Sequence, residues 1–286
     1  MTGFDPSTVE QYREYGYLAP VDFLTDAEAA HWRAVFEGFE TNPDLVNLPR
    51  SIRQYMRSSA HLVMPQIHQI LADPRLLDQV ESLLGPNIML YGADFFIKEA
   101  NTPDFVTWHQ DLTYWGLGET DNEVTAWVAL SDANRLSGCM RFVPGSHPQS
   151  ILQHEDSFSP DNLLSRGQQA KVQVDESTTV HAVLKPGQVS FHHGRILHAS
   201  SPNRSSDRRI GIAARFITPD VKQTVADRDY ALLMRGIDNT GNWINVAPPG
   251  RAFEPSALQL YEIVTADQKK ALAQNAAEEL STHRSN

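Results

Sequence analysis

Residues 106–115 read VTWHQDLTYW and place a histidine and an aspartate two positions apart in a run of aromatic and β-branched residues. Alternate side chains of an extended strand point the same way, so the spacing predicts His109 and Asp111 on one face and Gln110 on the other. An imidazole and a carboxylate so placed form either a hydrogen-bonded surface pair or two thirds of a metal site. Taken alone, the pair favours the surface reading. A second stretch, GQVSFHHGRILHASSPNRSSDRRIGIAARF at 187–216, shifts the balance. It reads as a strand, a turn rich in asparagine and serine, and a return strand. Such a hairpin can bring another histidine and a guanidinium to the same cavity. Two imidazoles and one carboxylate hold one face of a metal ion and leave the remaining positions open.

The elements that would carry these residues follow from periodicity. The N-terminal third is helical in pattern: Thr25 and Glu28 form a capping box, and Trp32, Val35, Phe36 and Phe39 recur at helical spacing. A second helix starts at Asp73-Pro74, turns Leu76, Val80, Leu83 and Leu84 inward, and stops at Gly85-Pro86. From residue 88 the period changes. IMLYGADFFIK, EVTAWVAL, CMRFV, TVHAVL, QVSFHH and RIGIAARFI are short β-rich runs parted by turn residues. In EVTAWVAL, Val124, Ala126, Val128 and Leu130 face one way, Thr125 and Trp127 the other. Many short strands of this kind suggest a sandwich or jelly roll. The polar interval from Gly145 to about Ser177 reads as a lid or binding loop. A closing helix is expected after Thr265, capped by Thr265 and Gln268. With no repeat or low-complexity linker, 1–286 is expected to be one mainly β domain, with a core at about 88–217 and helical wraps at about 1–87 and 256–286.

Composition limits the function classes. The chain has 286 residues, 41% hydrophobic, and a formal net charge of −11, which argues against a nucleic-acid surface. No apolar run is long enough for a membrane span, and the N-terminus lacks the basic-then-apolar pattern of a secretory signal. The single cysteine, Cys139, excludes an internal disulfide framework and a cysteine-rich zinc site, and reads as core filler. A soluble cytoplasmic protein, monomeric or homodimeric, is the expectation.

Four segments in order, EQYREYGYLAPVDFLTDAE, WHQDLTYW, LSGCMRFVPGSH and FHHGRILHASSPNRSSDRR, resemble the phytanoyl-CoA dioxygenase-like (PhyH) family of Fe(II)- and 2-oxoglutarate-dependent oxygenases. They extend from near residue 10 to near residue 217. The resemblance implies a double-stranded β-helix, a cupin-like relative of the jelly roll. It implies His109, Asp111 and His198 as the catalytic metal ligands. Arg209 matches the arginine that holds the distal carboxylate of 2-oxoglutarate, a task suited to a forked guanidinium and not to lysine. Ser200 matches a hydroxyl near that carboxylate, and Trp127 a residue lining the cosubstrate pocket. His192 and His193 compete with His198 until the resemblance is applied, and on a strand at most one of them can face the cavity. Arg208 and Arg215 compete with Arg209; Arg215 shares its strand parity, whereas Arg208 points away. His147 reads as a loop residue, and Lys98, beside the cavity, as the solvated end of an apolar strand in preference to a substrate contact.

The implied chemistry is hydroxylation of a C–H bond in a small molecule, with Fe(II), 2-oxoglutarate and O2, release of succinate and CO2, and stimulation by ascorbate. Asp111 stands where related halogenases carry a small residue, which argues against halogenation. Desaturation or cyclisation by the same machinery stays open, as does a non-catalytic cupin-like metal-binding protein. A zinc hydrolase is disfavoured, since no His-Glu-x-x-His helix is present. Selectivity is expected from the 145–177 loop, the helical segment at 48–68, and Tyr114 and Trp115. Arg50, Arg53 and Arg57 fall on one helix face by spacing; they read either as a solvated face balancing nearby acids, the preferred reading, or as a contact for an anionic substrate.

Overall fold

The computed structural model describes residues 3–164 and 167–273. In chain order the elements are α1 (Pro6–Tyr15), β1 (Tyr17–Asp22), α2 (Asp26–Thr41), α3 (Ile52–Arg57), α4 (Pro65–Leu71), α5 (Pro74–Leu84), β2 (Ile88–Lys98), β3 (Val106–His109), α6 (Leu112–Trp115), β4 (Glu123–Ala129), β5 (Met140–Phe142), β6 (His154–Asp156), β7 (Gln168–Ala170), β8 (Val180–Ala182), β9 (Gln188–His192), β10 (His198–Ser200), β11 (Arg209–Ile217), β12 (Asp229–Arg235), β13 (Trp243–Asn245) and α7 (Pro255–Ala273). A seven-stranded sheet runs β1-β9-β4-β11-β2-β12-β13 and a four-stranded one β3-β10-β5-β8, with β6-β7 a separate hairpin. Only the β12–β13 pair among these is parallel. This is the expected jelly roll, strands outweighing helices.

Strand alternation builds two cores back to back. On β11, Ile210, Ile212, Ala214 and Phe216 turn outward with Val124, Ala126 and Val128 of β4, where Phe36, Tyr55, Ile67, Leu76 and Val80 of the helices cover them. The alternate residues turn between the sheets, where Trp127, Ala129 and Ala213 meet Met140, Phe142 and Ile196. The helices therefore seal the outer face of the large sheet and leave its inner face to the site. Among the described residues no helix is long and apolar enough to cross a membrane.

The caps at Thr25 and Asp73 form as expected: Thr25 and Glu28 exchange capping-box bonds, and Asp73 accepts from the Arg75 backbone N–H. Three expectations are corrected. The large sheet recruits β1, β12 and β13 from outside 88–217. β1 carries Pro20, which a strand tolerates at the sheet edge, where β1 lies. The closing helix starts at Pro255, ten residues before Thr265. Thr265 lies inside it, bonding back to the Tyr261 carbonyl at 2.7 Å, and Gln268 reaches Asp229 at 3.1 Å. Residues 274–286 of the expected C-terminal wrap lie outside the described residues. Finally, Asp111 is not on a strand. β3 ends at His109, and Asp111 has helical φ −60° and ψ −42°, because the chain turns there: the Leu112 N–H donates to Gly194 O at 3.0 Å and the Tyr114 N–H to Asp111 O at 3.0 Å.

The 145–177 interval is not bare loop. Its β6–β7 hairpin docks on β3, with Thr107 Oγ1 donating to Gln168 O at 2.6 Å and Phe105 N–H to Asp161 O at 2.9 Å.

One close approach fixes the inner face. A Cβ on Gly211 would lie 1.9 Å from Trp127 Cζ2, so the indole sits directly on the glycine. Gly211→Ala is expected to cost about 1–3 kcal/mol by overpacking, read as a lower midpoint of urea unfolding; an unchanged midpoint would refute this seating of Trp127.

Candidate metal centre

The corner after β3 brings Asp111 back towards the histidine that precedes it. His109 Nε2 lies 3.2 Å from Asp111 Oδ1. β10 pairs with β3 so that His198 stands opposite His109; its Nε2 is 3.7 Å from the same oxygen. One ligand atom from each of the three falls within 4.8 Å of the others. His109 Nδ1 donates to Thr107 O at 2.9 Å and His198 Nδ1 to Ile196 O at 3.0 Å. With each Nδ1 carrying its proton, both Nε2 lone pairs face the shared centre. Burial, aided by the neighbouring His109, drives the His198 pKa well below the ordinary histidine value and keeps the ring neutral. Burial works to raise the Asp111 carboxyl, but the imidazoles around it, His198 first and then His109 and His192, outweigh it and hold it well below its usual range. Two imidazole nitrogens and a carboxylate suit a divalent first-row metal.

The other oxygen of Asp111 has its own neighbours. Thr125 Oγ1 and His192 Nε2 each lie 3.5 Å from Oδ2. Thr125 also bonds Glu123 Oε1 at 3.0 Å. Glu123 is fully buried, and burial together with Asp111 pushes its pKa well above the carboxyl range, so it stays neutral.

These residues line a pocket between the two sheets, with about 430 Å³ of empty space partly open to solvent. Trp127, Ser200 and Arg209 line it as well. Arg209 is 1% exposed. It lies over the Trp127 ring at 5.2 Å and uses Nη1 on Gly138 O at 2.7 Å, while its Nε has no partner. Burial lowers its pKa to about 10, with no acid among the groups acting on it. Directly across the strand pair stands Lys98, corrected from a solvated end to a residue with 0% exposure. Its Nζ donates to Ser200 Oγ at 2.7 Å and Ser201 O at 2.5 Å. Burial first, and Arg209 second, bring its pKa down to about 5.

All six residues expected at the site therefore meet in one pocket, which two of the competitors, His192 and Arg215, line as well. His192 faces the pocket, whereas His193 turns to Asp121 at 3.2 Å. His147 bonds Arg13 O at 3.0 Å. Arg208 is held by Glu40 and Glu99 on the outside. Arg50 pairs with Glu262, and Arg53 with Glu40 and Glu99, which fits the balancing of nearby acids; Arg50 precedes the helix instead of sharing its face. Cys139 is core, with one polar neighbour, His181 Nδ1 at 3.7 Å. The pocket lining includes no described residue of 145–177 or 48–68, nor Tyr114 or Trp115; Trp115 stands one layer back, against the Arg215 guanidinium. Sequence reasoning missed Thr125 and Glu123, and for Lys98 preferred the solvated end over the pocket. The parity of Lys98 with Phe96 was its only signal, since the pairing with Arg209 needs the register.

A jelly roll with a two-histidine, one-carboxylate cluster beside an unpaired buried guanidinium defines the class of cupin-like oxygenases dependent on Fe(II) and 2-oxoglutarate. The chain belongs to the phytanoyl-CoA dioxygenase (PhyH) family, whose model matches residues 12–211. Human peroxisomal phytanoyl-CoA dioxygenase is 25% identical over 233 residues, covering 74% of this chain and 69% of that protein. A probable alpha-ketoglutarate-dependent hypophosphite dioxygenase of Stutzerimonas stutzeri is 28% identical over 54% of this chain and 55% of its own. Among solved structures, the non-heme monooxygenase ThoJ superposes with a TM-score of 0.83 at 33% identity, covering 93% of this chain and 97% of that one.

If Thr125 and His192 fix the idle oxygen of Asp111, then Thr125→Val and His192→Phe should each weaken Co(II) binding about 10-fold or more, measured by competition with a chromophoric chelator. Unchanged affinity in both would show that Asp111 needs no such support.

Proposed function

We propose that the protein is an Fe(II)- and 2-oxoglutarate-dependent hydroxylase of a small molecule, with His109, Asp111 and His198 as metal ligands and Arg209 as the anchor of the cosubstrate. The observation that carries this reading is Arg209, a fully buried cation with no acid to balance it. Such a group is costly to bury unless a ligand brings the anion, and a dicarboxylate reaching from the metal does so. When bound, iron(II) and 2-oxoglutarate would supply oxygen activation, with release of succinate and CO2 and hydroxylation of the substrate. The protein's share is placement. His109 and His198 present Nε2 because backbone carbonyls hold their Nδ1 protons. Arg209 offers two parallel donors to the distal carboxylate, Trp127 holds the guanidinium plane, and Ser200 and Lys98 stand beside it. Phe96, Val106, Met140 and Ala213 give the reacting centre apolar walls.

The test is succinate formation by purified protein given Fe(II), 2-oxoglutarate, ascorbate and O2. Arg209→Met should raise the KM for 2-oxoglutarate about 10–100-fold, the range for losing hydrogen bonds to a charged group. Wild-type protein that neither forms succinate nor shows a charge-transfer band with Fe(II) and 2-oxoglutarate under anaerobic conditions would refute the assignment.

Lys98 adds a pH signature. Its amine is neutral above pH about 5 in the free protein, and a bound carboxylate favours the charged form, so binding takes up a proton. Affinity for 2-oxoglutarate should then fall as pH rises from about 5, and Lys98→Met should flatten that slope. Folded Lys98 also binds fewer protons than the unfolded chain between pH about 5 and 10.5, so its burial destabilises the fold at neutral pH and this loss fades as pH rises. The same variant should melt about 2 °C higher or more at pH 7, seen by calorimetry, while binding 2-oxoglutarate more weakly. A variant that melts lower would show that Lys98 is a net structural support.

A further inference from the structure

The pocket contains a second guanidinium built like the first. On β11, Arg209, Gly211, Ala213 and Arg215 share the inner face, so Arg215 stands about 20 Å along the strand from Arg209. Its side chain is 11% exposed and lines the pocket with Asp111 and Thr125. Thr125 is its neighbour in register and Gly92 stands on its other side. A Cβ at Gly92 would come within 3.4 Å of Nη1, so the guanidinium occupies the room this glycine leaves. The Trp115 ring takes one face of the cation at 5.0 Å. Nη1 pairs with Asp94 Oδ2 at 2.5 Å, and Asp94 is itself fixed by the Ser59 N–H at 2.6 Å. The buried Nε has no hydrogen-bond partner.

The two arginines share an indole on the cation's face, one donor used to set the plane and a buried Nε left over, although Arg215, unlike Arg209, also has acids beside it, Asp94 and Asp111. A counter-ion for Asp94 alone would need a single edge of the fork, and unsatisfied buried donors cost about 1–3 kcal/mol each. We propose that Arg215 binds a carboxylate of the primary substrate and so sets which end of that molecule lies at the metal. This rests on the oxygenase reading, in which Arg209 is taken by 2-oxoglutarate. A planar fork with two parallel donors matches a carboxylate better than it matches a lone carbonyl.

The probe is acetate. In Co(II)-substituted protein saturated with 2-oxoglutarate, Arg209 is taken by the cosubstrate, and acetate on the metal itself is told apart from acetate on Arg215 because only the latter is lost in the Arg215 variants. Paramagnetic relaxation of its methyl protons should be enhanced by the wild type and reduced at least 5-fold in Arg215→Gln, with acetamide giving no enhancement. Arg215→Lys retains the charge beside Asp94 and guards against misfolding; it should also lose most of the effect, because it lacks the fork. Both variants must still bind 2-oxoglutarate, which checks that the pocket survives. Equal acetate relaxation in wild type and Arg215→Lys, or acetamide as effective as acetate, overturns the proposal while leaving the oxygenase reading intact. Wild-type protein that fails to bind 2-oxoglutarate overturns both.

Discussion

The burial of a cation without its anion governs this structure. Arg209 lies 1% exposed between two sheets, and its neighbours soften that cost without removing it: an indole below, one carbonyl ahead, and a lysine that gives up its charge. Such an arrangement holds only if the surrounding fold is firm. The firmness comes from the opposite side of the same strand, where Ile210, Ile212, Ala214 and Phe216 lock into the helical layer. The apolar half of β11 thus supports what its polar half places in the pocket.

The same division of labour explains what could be read in advance. In β4, Val124, Ala126 and Val128 against Thr125 and Trp127 showed two faces in plain alternation, and the structure keeps both assignments. The jelly roll, the helix caps at Thr25 and Asp73, and the six residues gathered at the pocket were legible because each follows from local spacing or from a family resemblance. Lys98 was not. A lysine closing an apolar strand ordinarily reaches solvent, and only the register that sets it opposite Arg209 shows otherwise. Thr125 was placed on the correct face, yet its neighbour Asp111 lies fourteen positions away in sequence, a distance no periodicity spans.

Asp111 itself was identified for a reason that proved incomplete. Strand geometry predicts that positions two apart share a face, but the chain leaves the strand after His109 and turns into helical dihedrals. The two ligands converge because of the turn, stabilised by Leu112 bonding to Gly194 O. Gly194 follows β9 and the His192 that faces Asp111 Oδ2. Both the turn and the outer neighbour of the carboxylate are thus set from one stretch of chain. The closing helix offers the reverse case: Thr265 and Gln268 have capping-box spacing but lie mid-helix, where a threonine hydroxyl bonds back to its own preceding turn.

Thr107 has two attachments with a joint outcome. Its carbonyl restrains the His109 ring, and its hydroxyl grips the β6–β7 hairpin through Gln168. One residue therefore ties the outer hairpin and the inner ligand to the same point of the backbone, so the anchoring of the imidazole and the seating of the hairpin share a single side chain and its own carbonyl.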